Sequence, residues 1–146
     1  MITVADVARG GMRAMSAAEL DAFLRSCEWG VLAVSAADGP YAVPVSYGYA
    51  NGTLFLTNGP GRKLDAVEED PRVCLTIASV TTGADWRCVV ARGTLRPVDS
   101  LVDRARALHA IARTRTGGLS PADLARAARA RVFRMDLLEL SGRRRD

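Results

Sequence analysis

Residues 41–63 read YAVPVSYGYANGTLFLTNGPGRK, and the succession of patterns in this stretch carries the fold. Val43, Val45 and Tyr47 recur at a period of two, which puts them on one face of a strand over 41–49. Asn51-Gly52 is a two-residue hairpin turn, since both residues tolerate the positive φ that such turns need. Thr53 to Thr57 is then the return strand. Asn58-Gly59-Pro60-Gly61 is turn-forming and makes a loop. From Arg62 the pattern becomes helical, with Leu64 and Val67 on one face, until Asp70-Pro71 stops it after Glu69.

Upstream, Ser16-Ala17-Ala18-Glu19 has the spacing of a capping box. Leu20, Phe23, Leu24 and Cys27 follow at i, i+3, i+4 and i+7, so a helix is predicted over 17–27. Gly30 to Ala36 reads as a strand, joined to the next by the Asp38-Gly39 turn. Downstream, strands are predicted over 72–80 and 85–98, the second long enough to bend. Leu101 to Thr116 is helical and ends at Gly117-Gly118. Ser120-Pro121-Ala122-Asp123 starts another helix, with proline in its first turn. Arg131 to Leu140 alternates as a last strand, and Arg143-Arg144-Arg145 is expected to be a solvated tail. Neither repeats nor a linker interrupt the chain. Strands joined by close hairpins, with helices at their ends, predict a mainly β fold, an antiparallel barrel or sandwich in one domain over 1–146. Closing six strands on one another would remove the exposed edges.

At 146 residues the chain can bury a substantial core. Apolar residues make up 49% and charged residues 25%, which excludes a disordered chain. No apolar run reaches membrane-spanning length, and Met1 to Arg13 lacks the apolar block of a signal peptide. Cys27, Cys74 and Cys88 form no C-x-x-C and lie in apolar stretches, as reduced thiols of a cytoplasmic protein do. The net charge of +4 comes from the C-terminal part, where residues 101–146 hold eleven basic against five acidic side chains. Nineteen of the twenty basic residues are arginine, alongside 24 alanines, which reads as compositional bias. Aromatics are only 5%, too few for a base-stacking platform, so no nucleic-acid partner is expected.

The chemistry-bearing residues are few. His109 is the single histidine and sits among arginine and alanine in a helix. Neither a metal-ligand spacing nor a G-x-S-x-G elbow exists, so no metal site and no catalytic side chain are assigned. Glu68-Glu69-Asp70 reads as a solvated helix end. Leu56 to Leu64 is the informative stretch. A strand ends on the Thr57 hydroxyl, two glycines permit close backbone approach, and a helix begins at Arg62, whose free N–H groups favour an anion. Arg62 can grip a phosphate bidentately and Lys63, the single lysine, adds a point charge.

Tyr41 to Lys63, followed by Asp70-Pro71-Arg72-Val73 and then by Arg87-Cys88-Val89-Val90, resembles the FMN-binding split-barrel proteins, the pyridoxamine 5′-phosphate oxidase-like superfamily. The resemblance covers Leu20 to Val98 and reaches the last strand, Val132 to Gly142. It implies a six-stranded antiparallel split β-barrel with a helical insert, 101–130, before the last strand. It further implies that Val43, Pro44, Val45 and Ser46 lie along the flavin ring, and that Leu56 and Thr57 lie beside the ribityl phosphate. On the same resemblance Arg62 and Lys63 grip that phosphate, and Trp86, Arg87 and Cys88 approach from across a homodimer whose two flavin sites sit at the interface. The oxidase proper carries a lysine where Ser46 stands and a C-terminal Trp, Arg, Leu, Pro signature; this chain has Leu140-Ser141-Gly142-Arg143 instead, closer to the nitroimidazole-resistance-like branch. That branch often has a histidine near Leu56 or Thr57, and none stands here.

Three readings follow from the resemblance. In the first, the chain is an FMN-dependent oxidoreductase passing electrons between a nicotinamide donor and a small-molecule substrate. A second is a deazaflavin-dependent reductase, whose more anionic cofactor would suit the arginines at 104, 106, 113 and 115. The third is a non-enzymatic binder of flavin or haem, for which His109 would be the sole candidate axial ligand.

Overall fold

The computed structural model describes residues 11–114 and 120–145. In chain order the elements are β1 (Arg13–Ala14), α1 (Ala17–Ser26), β2 (Trp29–Ala36), β3 (Gly39–Ala50), β4 (Thr53–Asn58), α2 (Arg62–Glu69), β5 (Arg72–Thr82), β6 (Asp85–Pro97), α3 (Leu101–Thr114), α4 (Pro121–Arg129) and β7 (Arg131–Arg145). The strands pair antiparallel in the order β7-β4-β3-β2-β5-β6, and β6 pairs back with β7. The result is the expected six-stranded closed barrel, with the two-residue β1 added against β7.

Local chemistry explains the elements. Ser16 and Glu19 form the predicted capping box at the start of α1. Asn51 and Gly52 both have positive φ (50° and 76°), as the β3–β4 hairpin requires. Alternation along β3 and β4 sends Val45, Tyr47, Leu54 and Leu56 inward, where they join Leu32, Leu75, Ile77, Val89 and Phe133 in one buried core. Tyr47 is fully buried, and its hydroxyl donates to the Leu24 carbonyl at 2.7 Å, so the polar end is satisfied.

The C-terminus departs from expectation. Strand β7 does not stop at Leu140 but runs to Arg145, and the arginine tail is strand rather than solvated chain. Arg143 and Arg144 pair with Cys88 and Arg87 of β6 on one side and with Ala14 and Arg13 of β1 on the other. A register shift at Arg92/Gly93 breaks the alternation, leaving Leu137 and Leu138 both exposed, which is why the pattern read as ended. Glu19 then accepts from Arg13 (2.8 Å) and Arg144 (2.6 Å), tying the tail to the start of α1. Arg13 and the Ser16 backbone N–H hold the Glu19 carboxyl well below the usual carboxylate range. Nor is the acidic run simply solvated: Glu68 accepts from Arg131 at 2.6 Å and Asp70 from Arg72 at 2.9 Å. Of the predicted helix 101–116, α3 reaches Thr114; positions 115–116 and the Gly117-Gly118 stop lie outside the described residues.

Helix α3 lies directly on β3. A Cβ at Gly48 would stand 2.5 Å from the Ile111 nitrogen and 2.8 Å from its Cα, so only glycine lets the two backbones meet. Gly48→Ala is therefore expected to destabilise the protein by about 1–3 kcal/mol, as overpacking does. Urea unfolding checks this, and a midpoint equal to that of the unmodified chain would show that α3 is free to recede.

Candidate functional site

Between the outer side of β3 and the helical insert runs a groove of about 510 Å³. Pro44 and Val45 line it from the barrel, Leu108 and Ile111 from α3. Its polar end is made by Ser46, by Thr57 at the end of β4, by Gly59 and Pro60 of the loop, and by Lys63 in the first turn of α2. Helix α4 adds Arg126 and Arg129. Asp123 is the one carboxylate along this lining, and it is engaged: it accepts from the Ser120 backbone N–H at 3.0 Å and lies 3.9 Å from Arg126.

Five of the residues singled out in the sequence thus meet in one groove: Pro44, Val45, Ser46, Thr57 and Lys63. Val43 and Leu56 pack against or within the barrel core. Arg62 points about 100° around the helix from Lys63 and lies on the other flank of α2. There it pairs with Asp38, and its guanidinium stands 4.5 Å from the centre of the Tyr41 ring. Gly61, the cap of α2, has φ 145°, a conformation that favours glycine and allows the sharp entry into the helix.

Lys63 is the electrostatic anomaly. It is half-buried, burial lowers its pKa from the ordinary 10.5, and among the described residues no carboxylate pairs with it. A partly desolvated cation without a counter-charge is costly unless an anion supplies one. Five residues earlier in the chain, between Thr57 and Gly59, Asn58 is 1% exposed, and neither side-chain amide atom has a protein partner among the described residues. Buried amides are otherwise almost always satisfied, so a water or ligand is the expected partner. The donor set, two hydroxyls and up to three cations beside an apolar slot, fits a planar molecule with an anionic tail.

Trp86, Arg87 and Cys88 lie outside the groove, at the start of β6. Register places Trp86 opposite Val80 and Cys88 opposite Ala78 on β5, while Val31 bridges Thr76 and Pro44. Trp86 and Cys88 therefore share an outward face that runs continuously across β5 and β2 to Pro44 and Ser46. This face is apolar and open: Trp29 is 58% exposed and Val80 70%. Arg87 alternates away from it, close enough to Cys27 for its charge to act on that thiol. Burial nonetheless pushes both the Cys27 and Cys88 thiols up, so neither is an activated nucleophile. The residues that sequence reasoning missed are Leu108, Ile111, Arg126 and Arg129 of the insert. Their spacing marks amphipathic helices but not the surface those helices cover.

A family model described as Pyridoxamine 5′-phosphate oxidase matches residues 16–144. An uncharacterised protein of Rhizobium meliloti is 32% identical over 82 residues, which span 56% of this chain and 54% of that protein, so the match covers about half the length of that curated relative. Among solved structures, an FAD-binding protein from Mesorhizobium loti is 27% identical with a TM-score of 0.73, over 92% of this chain and 99% of that one. A candidate 5-nitroimidazole antibiotic resistance protein from Bacteroides thetaiotaomicron has the same fold with a TM-score of 0.73, at 20% identity over 91% of this chain and 88% of that one. So does an FAD and haem binding protein from Mycobacterium smegmatis, with a TM-score of 0.72 and 14% identity over 93% of this chain and 74% of that one. No described helix is long and apolar enough to cross a membrane.

The strain at Lys63 has a measurable sign. Its lowered folded-state pKa means that the unfolded chain holds this proton more tightly, so the cost is fully present below the folded pKa and is relieved as pH rises to 10.5 and beyond. Lys63→Met should therefore raise the melting temperature of the cofactor-free protein at neutral pH, with the advantage shrinking towards pH 10.5. A variant that melts lower at neutral pH would mean that Lys63 is well solvated or paired.

Proposed function

The chain belongs to the pyridoxamine 5′-phosphate oxidase family, and on that footing we propose that it is a flavin-binding oxidoreductase whose cofactor is FMN. The carrying observation is the half-buried Lys63, without a counter-charge among the described residues, at the polar end of a groove with apolar walls. Lys63, Thr57 and Ser46 would hold the phosphate, while Pro44, Val45, Leu108 and Ile111 would flank the ring and exclude water. When bound, the flavin supplies the hydride and electron transfer between a nicotinamide donor and a small-molecule substrate. Side chains of the groove bind and orient; none is assigned a proton-transfer role. Arg62 contributes only if it gives up Asp38 and Tyr41.

A second reading is favoured by Arg126 and Arg129. Three cations exceed what one phosphate monoester needs, and suit a flavin or deazaflavin with a longer, more anionic tail. The FAD-binding relative supports this direction. A haem is less well served, because His109 lines a different cavity, on the other flank of α3. The open apolar face formed by Trp29, Val31 and Val80 supports a homodimer, with Trp86 and Cys88 presented towards the partner's groove.

Titrating FMN into the cofactor-free protein tests the assignment. Lys63→Ala should weaken binding by roughly 10–100-fold, the loss of one charged hydrogen bond worth about 1.5–3 kcal/mol, while Arg62→Ala should change it by less than about threefold. Affinity should rise as pH passes about 6, where the phosphate becomes dianionic, and fall again as Lys63 loses its proton below 10.5. Failure of the unmodified protein to take up FMN would overturn the first reading, and FAD or a deazaflavin outcompeting FMN would establish the second. Trp29→Asp is expected to convert a dimer to a monomer in sedimentation, at unchanged helix and strand content. A chain that sediments as a monomer before substitution would remove the dimer.

A further inference from the structure

Helix α3 separates two cavities, and the second is not explained by a flavin. It measures about 540 Å³, within the range of small-molecule sites, which runs from about 300 to 1,000 Å³. Phe55 of β4, paired with Gly48 on the side that α3 covers, gives it an aromatic surface, and Tyr49 lines it from the inward face of β3. Arg106, His109 and Arg113, at i, i+3 and i+7 along one face of α3, form the opposite wall, and Arg25 of α1 closes one end. Among the described residues no carboxylate lines the cavity.

The cations differ in how they are engaged. Arg25 is committed: it donates to Asp21 at 2.9 Å and stands 5.5 Å from the centre of the Tyr49 ring. The Tyr49 hydroxyl donates to the same carboxylate at 2.7 Å, so this end is a fixed Asp21–Arg25–Tyr49 unit. Arg106 has only a long contact with Asp103, at 3.8 Å on the exposed side of α3. Arg113 has no ion pair or hydrogen bond among the described residues. Two guanidinium groups and an imidazole therefore share one helix face in a cavity lined by the Phe55 ring. Guanidinium forks match the planar oxygens of a carboxylate or phosphate, and aromatic faces stack on a planar ring.

We propose that this cavity binds a second ligand, an organic anion with a planar aromatic body and a carboxylate or phosphate head. The head lies against Arg106 and Arg113, with His109 within reach as a further donor, and the ring lies on Phe55. The site is separate from the flavin groove. Leu108 and Ile111 face the groove, whereas Arg106, His109 and Arg113 face this cavity.

Calorimetric titration of the full chain with phenyl phosphate, benzoate, inorganic phosphate and neutral benzyl alcohol, with and without saturating FMN, tests the inference. Saturable binding of phenyl phosphate or benzoate, one per chain and at least tenfold tighter than both inorganic phosphate and benzyl alcohol, is expected in either condition. Which aromatic anion binds more tightly identifies the head group. The double variant Arg106→Ala with Arg113→Ala should lose at least tenfold in that affinity while keeping the melting temperature and the FMN affinity. Phe55→Leu is a milder second variant that should weaken the aromatic anions and leave inorganic phosphate unchanged. Absence of saturable binding, equal binding of inorganic phosphate, or a loss that follows Lys63→Ala instead of the arginine variants would each overturn the proposal. The last of these would mean that the anion had entered the flavin groove. Because the titration is run without FMN as well, a protein that takes up no flavin still gives an answer about this cavity.

Discussion

The barrel depends on the double pairing of one strand. The first residues of β7, Arg131 to Arg134, bond to β4, and from Phe133 onward the same strand bonds to β6. Without that second pairing β6 and the greater length of β7 would be open edges, each with a row of unsatisfied N–H and C=O groups. Closure also constrains the insert. Helices α3 and α4 are the connection between β6 and β7, so both must leave and return at the barrel end where β4 meets β7. That end is also where Thr57, the glycine loop and α2 lie, and so the groove has a wall on each side.

The groove is built against local stability. Lys63 is held half out of water without a counter-charge among the described residues, and the Asn58 amide is buried without a protein partner. Both groups sit within six residues of chain, either side of the loop that enters α2. Unsatisfied polar groups of this kind are rare in folded proteins, and they concentrate where a ligand completes them. Arginine after arginine finds a carboxylate, as Arg62, Arg72, Arg92, Arg96 and Arg131 do. Much of the arginine that composition bias supplies is thus neutralised in place, whereas Lys63 is half-buried with no counter-charge among the described residues.

Much of the barrel was legible because its signals are local. Asn51-Gly52, the Ser16–Glu19 box and Asp70-Pro71 each act within four residues, and the observed elements begin or end beside them. What was not legible depends on partners distant in sequence. The two residues of β1 are strand only because they pair with the arginine tail, and the tail is strand because it pairs with β6 on its other side; no pattern within either announces it. The bulge near Leu138 erased the alternation that would have carried β7 forward. Arg62 and Lys63 illustrate the limit at the site itself. They are adjacent in sequence, so a linear motif treats them as a pair, but successive helical residues point about 100° apart. One therefore reaches the groove and the other reaches Asp38. The insert's share of the groove was hidden for a related reason. Periodicity reveals that a helix has an apolar face, and only the tertiary contact at Gly48 determines what that face covers.

The contact at Gly48 has a further consequence for the two cavities that α3 divides. With the Ile111 backbone seated on the β3 backbone, the helix has no room to move inward, and any displacement must be a shift along the barrel surface or away from it. Such a shift would alter both lining sets at once, because Leu108 and Ile111 belong to the same rigid turns as His109 and Arg113. Two ligands that each prefer one position of α3 would then be linked, and linkage of binding free energies is reciprocal. If neither ligand moves the helix, the cavities act independently however close they lie, since a ligand with equal affinity for two states shifts nothing. Glycine at position 48 thus confines any communication between the sites to a single mechanical element, whose freedom is set by one missing methyl group.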